Sequence, residues 1–127
     1  MKKTKQEQAD ELRTKIEAAI ENGEFVLDHG LGYLQDIQVA NNSRIGCGGC
    51  ALGAAAYVLS GRTVTYAYGE DCQRLSQAGG LSAVDVSQLE MGFESWWSVR
   101  VGKVRYSRDE NHPFYQLGKD LRERFST

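Results

Sequence analysis

The run from Gly49 to Ser60 constrains this chain more than any other. Cys50, Ala51, Leu52, Ala54, Ala55, Ala56, Tyr57, Val58 and Leu59 are interrupted only by Gly53, and Gly61 ends the run. A helix made of these residues has no polar face, so it must sit at the centre of a fold with other elements laid around it. Its small side chains let those elements approach closely. The run is far shorter than the roughly 20 residues of a membrane span, so it reads as a core helix, and no membrane contact is expected.

The remaining chain has to cover that helix. At 127 residues, 41% hydrophobic and 25% charged with a single proline, the chain suits one ordinary globular domain spanning residues 1–127. Ala9, Leu12, Ile16, Ala19 and Ile20 recur at helical spacing between Lys5 and Asn22, and Gly23 predicts a left-handed stop. Phe25 to Ile45 shows no sustained period and reads as loop with at most one short strand, and Gly46-Cys47-Gly48-Gly49 reads as a turn. Thr63–Tyr68 suggests another short strand, and Glu70–Ala78 a short helix closed by Gly79-Gly80.

Ser82 and Asp85 form an acidic capping box, and Leu81 and Val86 stand where a hydrophobic staple requires them. The helix they open is expected to reach about Met91, with Val86, Leu89 and Phe93 inward. Val99 to Tyr106 alternates on both sides of Gly102, which predicts a hairpin pairing Val101 with Val104, Val99 with Tyr106 and Arg100 with Arg105. Pro113 then opens a last helix whose Phe114, Leu117, Leu121 and Phe125 share a face. The expected fold is mainly α, a compact bundle of about five helices with a small β-hairpin.

Chemistry is harder to find. The polar opening from Met1 to Gln8 does not look like a secretory leader, and three cysteines are an odd number for a disulfide framework. Reduced thiols in a cytoplasmic protein are therefore expected. Cys47-Gly48-Gly49-Cys50 ahead of a helix suggests a redox pair, or a zinc site completed by Cys72 and His29 or His112. No strand is evident before Cys47, and the spacing fits no standard finger, so the simpler reading makes Cys50 a buried small residue. His29 beside Asp28 and His112 after Asp109 are candidate bases, though His112 before Pro113 is better read as a helix cap. No phosphate loop or nucleotide fingerprint is present, and no cofactor is expected.

Two surfaces compete for a partner. The helix from Glu70, the Gly79-Gly80 turn, the helix from Ser82 and the hairpin follow the order of a winged helix-turn-helix. A net charge of −2, with Asp85, Glu90 and Glu94 on the would-be recognition helix, disfavours DNA. The hairpin with Arg100, Lys103, Arg105 and Arg108, flanked by Trp96 and Trp97, is the only stretch that looks like a contact surface for nucleic acid. That partner is disfavoured, because four basic residues in a loop are more often a solvated face. The same residues are the best candidate for a protein or self-association surface.

Three stretches, Cys50-Ala51-Leu52-Gly53-Ala54, Leu89-Glu90-Met91-Gly92-Phe93-Glu94 and Tyr115-Gln116-Leu117-Gly118-Lys119-Asp120-Leu121-Arg122, together resemble small helical proteins encoded by bacteria, phages and other mobile elements. The resemblance covers roughly the last two thirds of the chain. It implies a shared helical fold, and no reaction. The expected function is accordingly a non-catalytic interaction or accessory protein that meets a protein partner or a second copy of itself. The alternatives are winged-helix DNA binding and a zinc or redox protein using the cysteines.

Overall fold

The computed structural model describes residues 3–27, 34–38, 45–49, 51–59, 80–101 and 103–125. In chain order these form α1 (Lys5–Glu21), β1 (Phe25–Leu27), β2 (Leu34–Gln38), β3 (Ile45–Gly49), α2 (Ala51–Leu59), α3 (Ala83–Glu94), β4 (Ser98–Val101), β5 (Val104–Ser107) and α4 (Pro113–Phe125). The fold is mainly helical with a small antiparallel hairpin, and four helices lie among the described residues. The expected helix at Glu70–Ala78 and strand at Thr63–Tyr68 fall outside them.

α2 touches α1, α3, α4 and all three strands of the first sheet, the position its all-round apolar sequence demands. Ala51, Ala54 and Ala55 are buried, and Tyr57 stacks edge-on against Phe25 with ring centroids 5.5 Å apart.

α1 begins at a full capping box. Thr4 accepts from the Glu7 amide while the Glu7 carboxylate accepts from the Thr4 amide. It ends in a Schellman motif, with Gly23 at φ 74° and the Gly23 and Glu24 amides donating to the Ile20 and Ala19 carbonyls. Ala9, Leu12, Ile16 and Ala19 form the predicted buried stripe.

The segment read as loop holds two strands, β1 and β2, and leads into a third. β3 is the central strand of the sheet they form, parallel to β1 (Phe25 opposite Cys47) and antiparallel to β2 (Asp36 opposite Cys47). The expected turn at Gly46–Gly49 is thus strand, and the helix begins at Ala51 rather than Gly49. Glycine is poor in strands by propensity, and a three-residue β1 is too short to show a period, so pairing from both sides made this sheet rather than any local signal.

Among the described helices, α3 and α4 share the most extensive interface. At their crossing each helix presents a glycine to the other's backbone. A Cβ on Gly92 would stand 2.1 Å from the Tyr115 carbonyl oxygen, and one on Gly118 would stand 2.2 Å from that of Leu89. Arg122 also donates to the Phe93 carbonyl at 3.0 Å, satisfying an acceptor at the end of α3.

Candidate functional site

The hairpin lies between these two helices in sequence, and its placement begins at the end of α3. Ser95 adopts the left-handed conformation (φ 64°, ψ 36°), the only residue other than glycine to do so among the described residues. The Trp96 amide then donates to the Met91 carbonyl, so the chain leaves α3 sharply and carries Trp96 and Trp97 outward. A left-handed serine costs roughly 1–2 kcal/mol, and strain of this kind is often found beside functional surfaces.

Trp97 is 76% exposed and Trp96 41% exposed. Arg108 holds this pair in place. Its amide donates to the Trp97 carbonyl at 2.9 Å and its Nε to the Trp96 carbonyl at 3.0 Å. Its guanidinium lies 4.2 Å from the Trp97 ring centroid and 5.3 Å from that of Tyr115. The result is a layered stack in which buried Tyr115 on α4 supports Arg108 and Arg108 supports Trp97. With an 11% exposed side chain that also lies 3.9 Å from Glu110, Arg108 is a support for the surface rather than part of its open charge.

β4 and β5 pair in the predicted register, Val99 with Tyr106, Arg100 with Arg105 and Val101 with Val104. The pleat therefore puts Arg100 and Arg105 on one face of the ribbon and Val99 and Tyr106 on the other. Arg100, Lys103 and Arg105 are all exposed. Arg105 donates to the Ser98 hydroxyl at 3.0 Å, and Gly102, expected to make the turn, lies outside the described residues. Trp97 just before β4, Arg100 and Arg105 in the strands and Lys103 between them thus follow one ribbon, with Arg108 set inward.

A buried glutamine fastens the ribbon to the core. Gln88 donates to the Ser107 carbonyl at 2.9 Å and accepts from the Asp109 amide at 3.0 Å, so both ends of its amide are satisfied. This clamp has no motif that sequence reasoning would detect.

The other candidate groups have structural partners. His112 caps α4, accepting at Nδ1 from the Phe114 amide, and its Nε2 lies 3.5 Å from Asp85. Buried Asp85 also accepts from Lys5 Nζ at 2.6 Å and from the Ser82 amide, tying α1, α3 and the start of α4 together. Asp85 and Glu90, expected as acidic surface on a recognition helix, are in fact buried, as is every α3 residue from Asp85 to Phe93. For Asp85 the reason is full satisfaction by these partners. For Glu90 burial and the neighbouring Glu94 charge push the pKa up to about 7, so the acid form is held to a much higher pH than in a free glutamate.

No group of three His, Cys, Asp or Glu is placed to hold a metal among the described residues. Cys50, Cys72 and His29 lie outside them, and the backbone at Cys47 is strand. A cleft of about 220 Å³ opens where Leu12, Leu59 and Leu81 meet Lys3, Gln8 and Glu11, smaller than the roughly 300 Å³ at which ligand pockets begin. Two of its polar groups, Lys3 and Glu11, pair with each other at 2.6 Å. No described helix is long and apolar enough to cross a membrane. Comparisons with protein-family models, with curated proteins and with solved structures each find no match.

Proposed function

We propose that this protein is a non-catalytic interaction or accessory module, and that it meets its partner through the ridge from Trp96 to Arg108. One observation carries this reading: an indole with 76% of its surface in solvent is held in a fixed position by a stacked, doubly hydrogen-bonded arginine. An aromatic side chain ordered before contact loses little entropy on binding, which is why such residues dominate interface energetics. The cytoplasm is the compartment in which we place this role.

The test is affinity purification from the native host, comparing the wild-type chain with the Trp97→Ala, Arg100→Ala, Arg105→Ala combination. The altered side chains are exposed, so thermal stability should change little while co-purified material falls at least ten-fold. Equal recovery from both chains would refute the reading. Size exclusion over a range of concentrations asks whether the partner is a second copy.

A second reading has one observation in its favour. β3, which includes Cys47, ends at Gly49 and α2 begins at Ala51, so this strand leads toward a helix N-terminus, where a thiolate is stabilised. Metal analysis of protein purified without chelator, with thiol titration against pH, tests it. The winged-helix alternative draws no such support, because α3 from Asp85 to Phe93 has no exposed face to enter a groove.

A further inference from the structure

We infer that the ridge binds single-stranded nucleic acid, with Trp97 as a stacking platform for a base and Arg100, Lys103 and Arg105 as contacts to phosphates. The inference rests on the interaction-module reading and names its partner class.

The charge pattern is the first reason. Elsewhere on the described surface, Lys3 pairs with Glu11, Lys5 with Asp85, Arg13 with Asp120, and Arg124 with Glu17 and Asp120, while exposed Lys15 and Lys119 have no acidic partner among the described residues. On the ribbon, Arg105 meets only a neutral hydroxyl, and Arg100 and Lys103 have no polar partner among the described residues. The segment from Ser95 to Arg108 contains no acidic residue, although the whole chain carries −2. Arg100 and Arg105 also face each other directly across the pairing register. Like charges so placed repel, and an anion between them turns that repulsion into attraction.

The stack is the second reason. Arg108 lies over both the Trp97 and Tyr115 rings, and 76% exposure of Trp97 leaves most of the indole open to solvent. An indole so exposed can take another flat π system by stacking. A base with its phosphate supplies both the flat ring and the negative charge, which is the pairing used by sequence-tolerant single-strand binders. The ribbon is two strands wide, about 5 Å between backbones. One nucleic-acid strand can run over its arginine face and turn a base across the edge onto Trp97. Duplex DNA offers no unstacked base for the indole, and an acidic peptide leaves the indole face unused.

The experiment is fluorescence anisotropy of a labelled oligothymidylate of about 12 nucleotides, titrated with the full chain at low salt, with polyglutamate of similar length as competitor. Three phosphate contacts to a single strand predict that log affinity falls against log salt with a slope of about −2. Trp97→Ala should weaken binding about ten-fold without changing that slope, and Trp97→Phe should restore most of it. Arg100→Ala with Arg105→Ala should reduce the slope to about −0.7. No binding at low salt would overturn the inference, as would unchanged affinity in Trp97→Ala. Competition by polyglutamate as effective as by unlabelled oligothymidylate would also overturn it and assign the cations to an acidic protein segment. If the oligonucleotide fails while recovery from the host still depends on the ridge, only this inference falls. If neither depends on the ridge, the interaction-module reading falls with it.

Discussion

Glu90 is the residue whose environment departs furthest from its chemistry. It is 3% exposed, its Oε2 has no hydrogen-bond partner among the described residues, and its pKa is raised from 4.5 to about 7. Because the folded form holds its proton more tightly, the stability this gives is complete below pH 4.5 and is lost as pH rises through about 7. A shift of this size corresponds to about 3 kcal/mol as an upper value. Glu90→Gln is therefore expected to match the wild type in urea denaturation at pH 4.5 and to exceed it by about 2 kcal/mol at pH 8. Equal stability of the two chains at pH 8 would contradict the assignment. The sequence gives no warning of this burial, since Glu90 lies among Ser87, Gln88 and Glu94 in a stretch that reads as half polar. His112 was easier to read, because a histidine directly before Pro113 sits where a helix needs a cap.

At the scale of elements, legibility followed how local each signal was. The Ser82–Asp85 box, the stop at Gly23 and the pairing of Val99 with Tyr106 each depend on residues close in sequence, and each is present as expected. The sheet of β1, β2 and β3 depends on pairing partners 7–22 residues apart, with every β1–β3 pair 22 apart, and a strand written Ile45-Gly46-Cys47-Gly48-Gly49 has little side-chain pattern to reveal it. Between these extremes stands the α3–α4 crossing. Gly92 lies in the stretch Leu89–Glu94 and Gly118 in the stretch Tyr115–Arg122, and each one faces the backbone of the other stretch. Gly92→Ala is expected to lower stability by about 3 kcal/mol, because its Cβ would meet backbone that cannot turn aside as a side chain can. Gly118→Ala should cost a similar amount, and the double variant less than the sum, since either methyl alone already forces the helices apart. Denaturant midpoints for the four chains measure this, and additive losses would mean that the two glycines act independently.

Over the whole molecule, buried and fastened parts surround an exposed ridge. α2 organises the core, Asp85 joins three helix ends, and Arg13, Asp120, Arg124 and Glu17 link α1 to α4 along their length. The ridge is attached to that frame at Gln88 and Arg108 but keeps Trp97 and three cations in solvent. Sequence alone identified these residues as a group; it did not distinguish Arg108, the inward support, from Arg100, Lys103 and Arg105, the open charge. The central claim is that the ridge is where this protein meets its partner. The most direct test places a photo-crosslinking residue at Trp97 in one chain and at exposed Thr14 on α1 in another, with both expressed in the native host. Adducts from position 97 and none above background from position 14 are the predicted result. Adducts from position 14 alone, or equally from both positions, would contradict it.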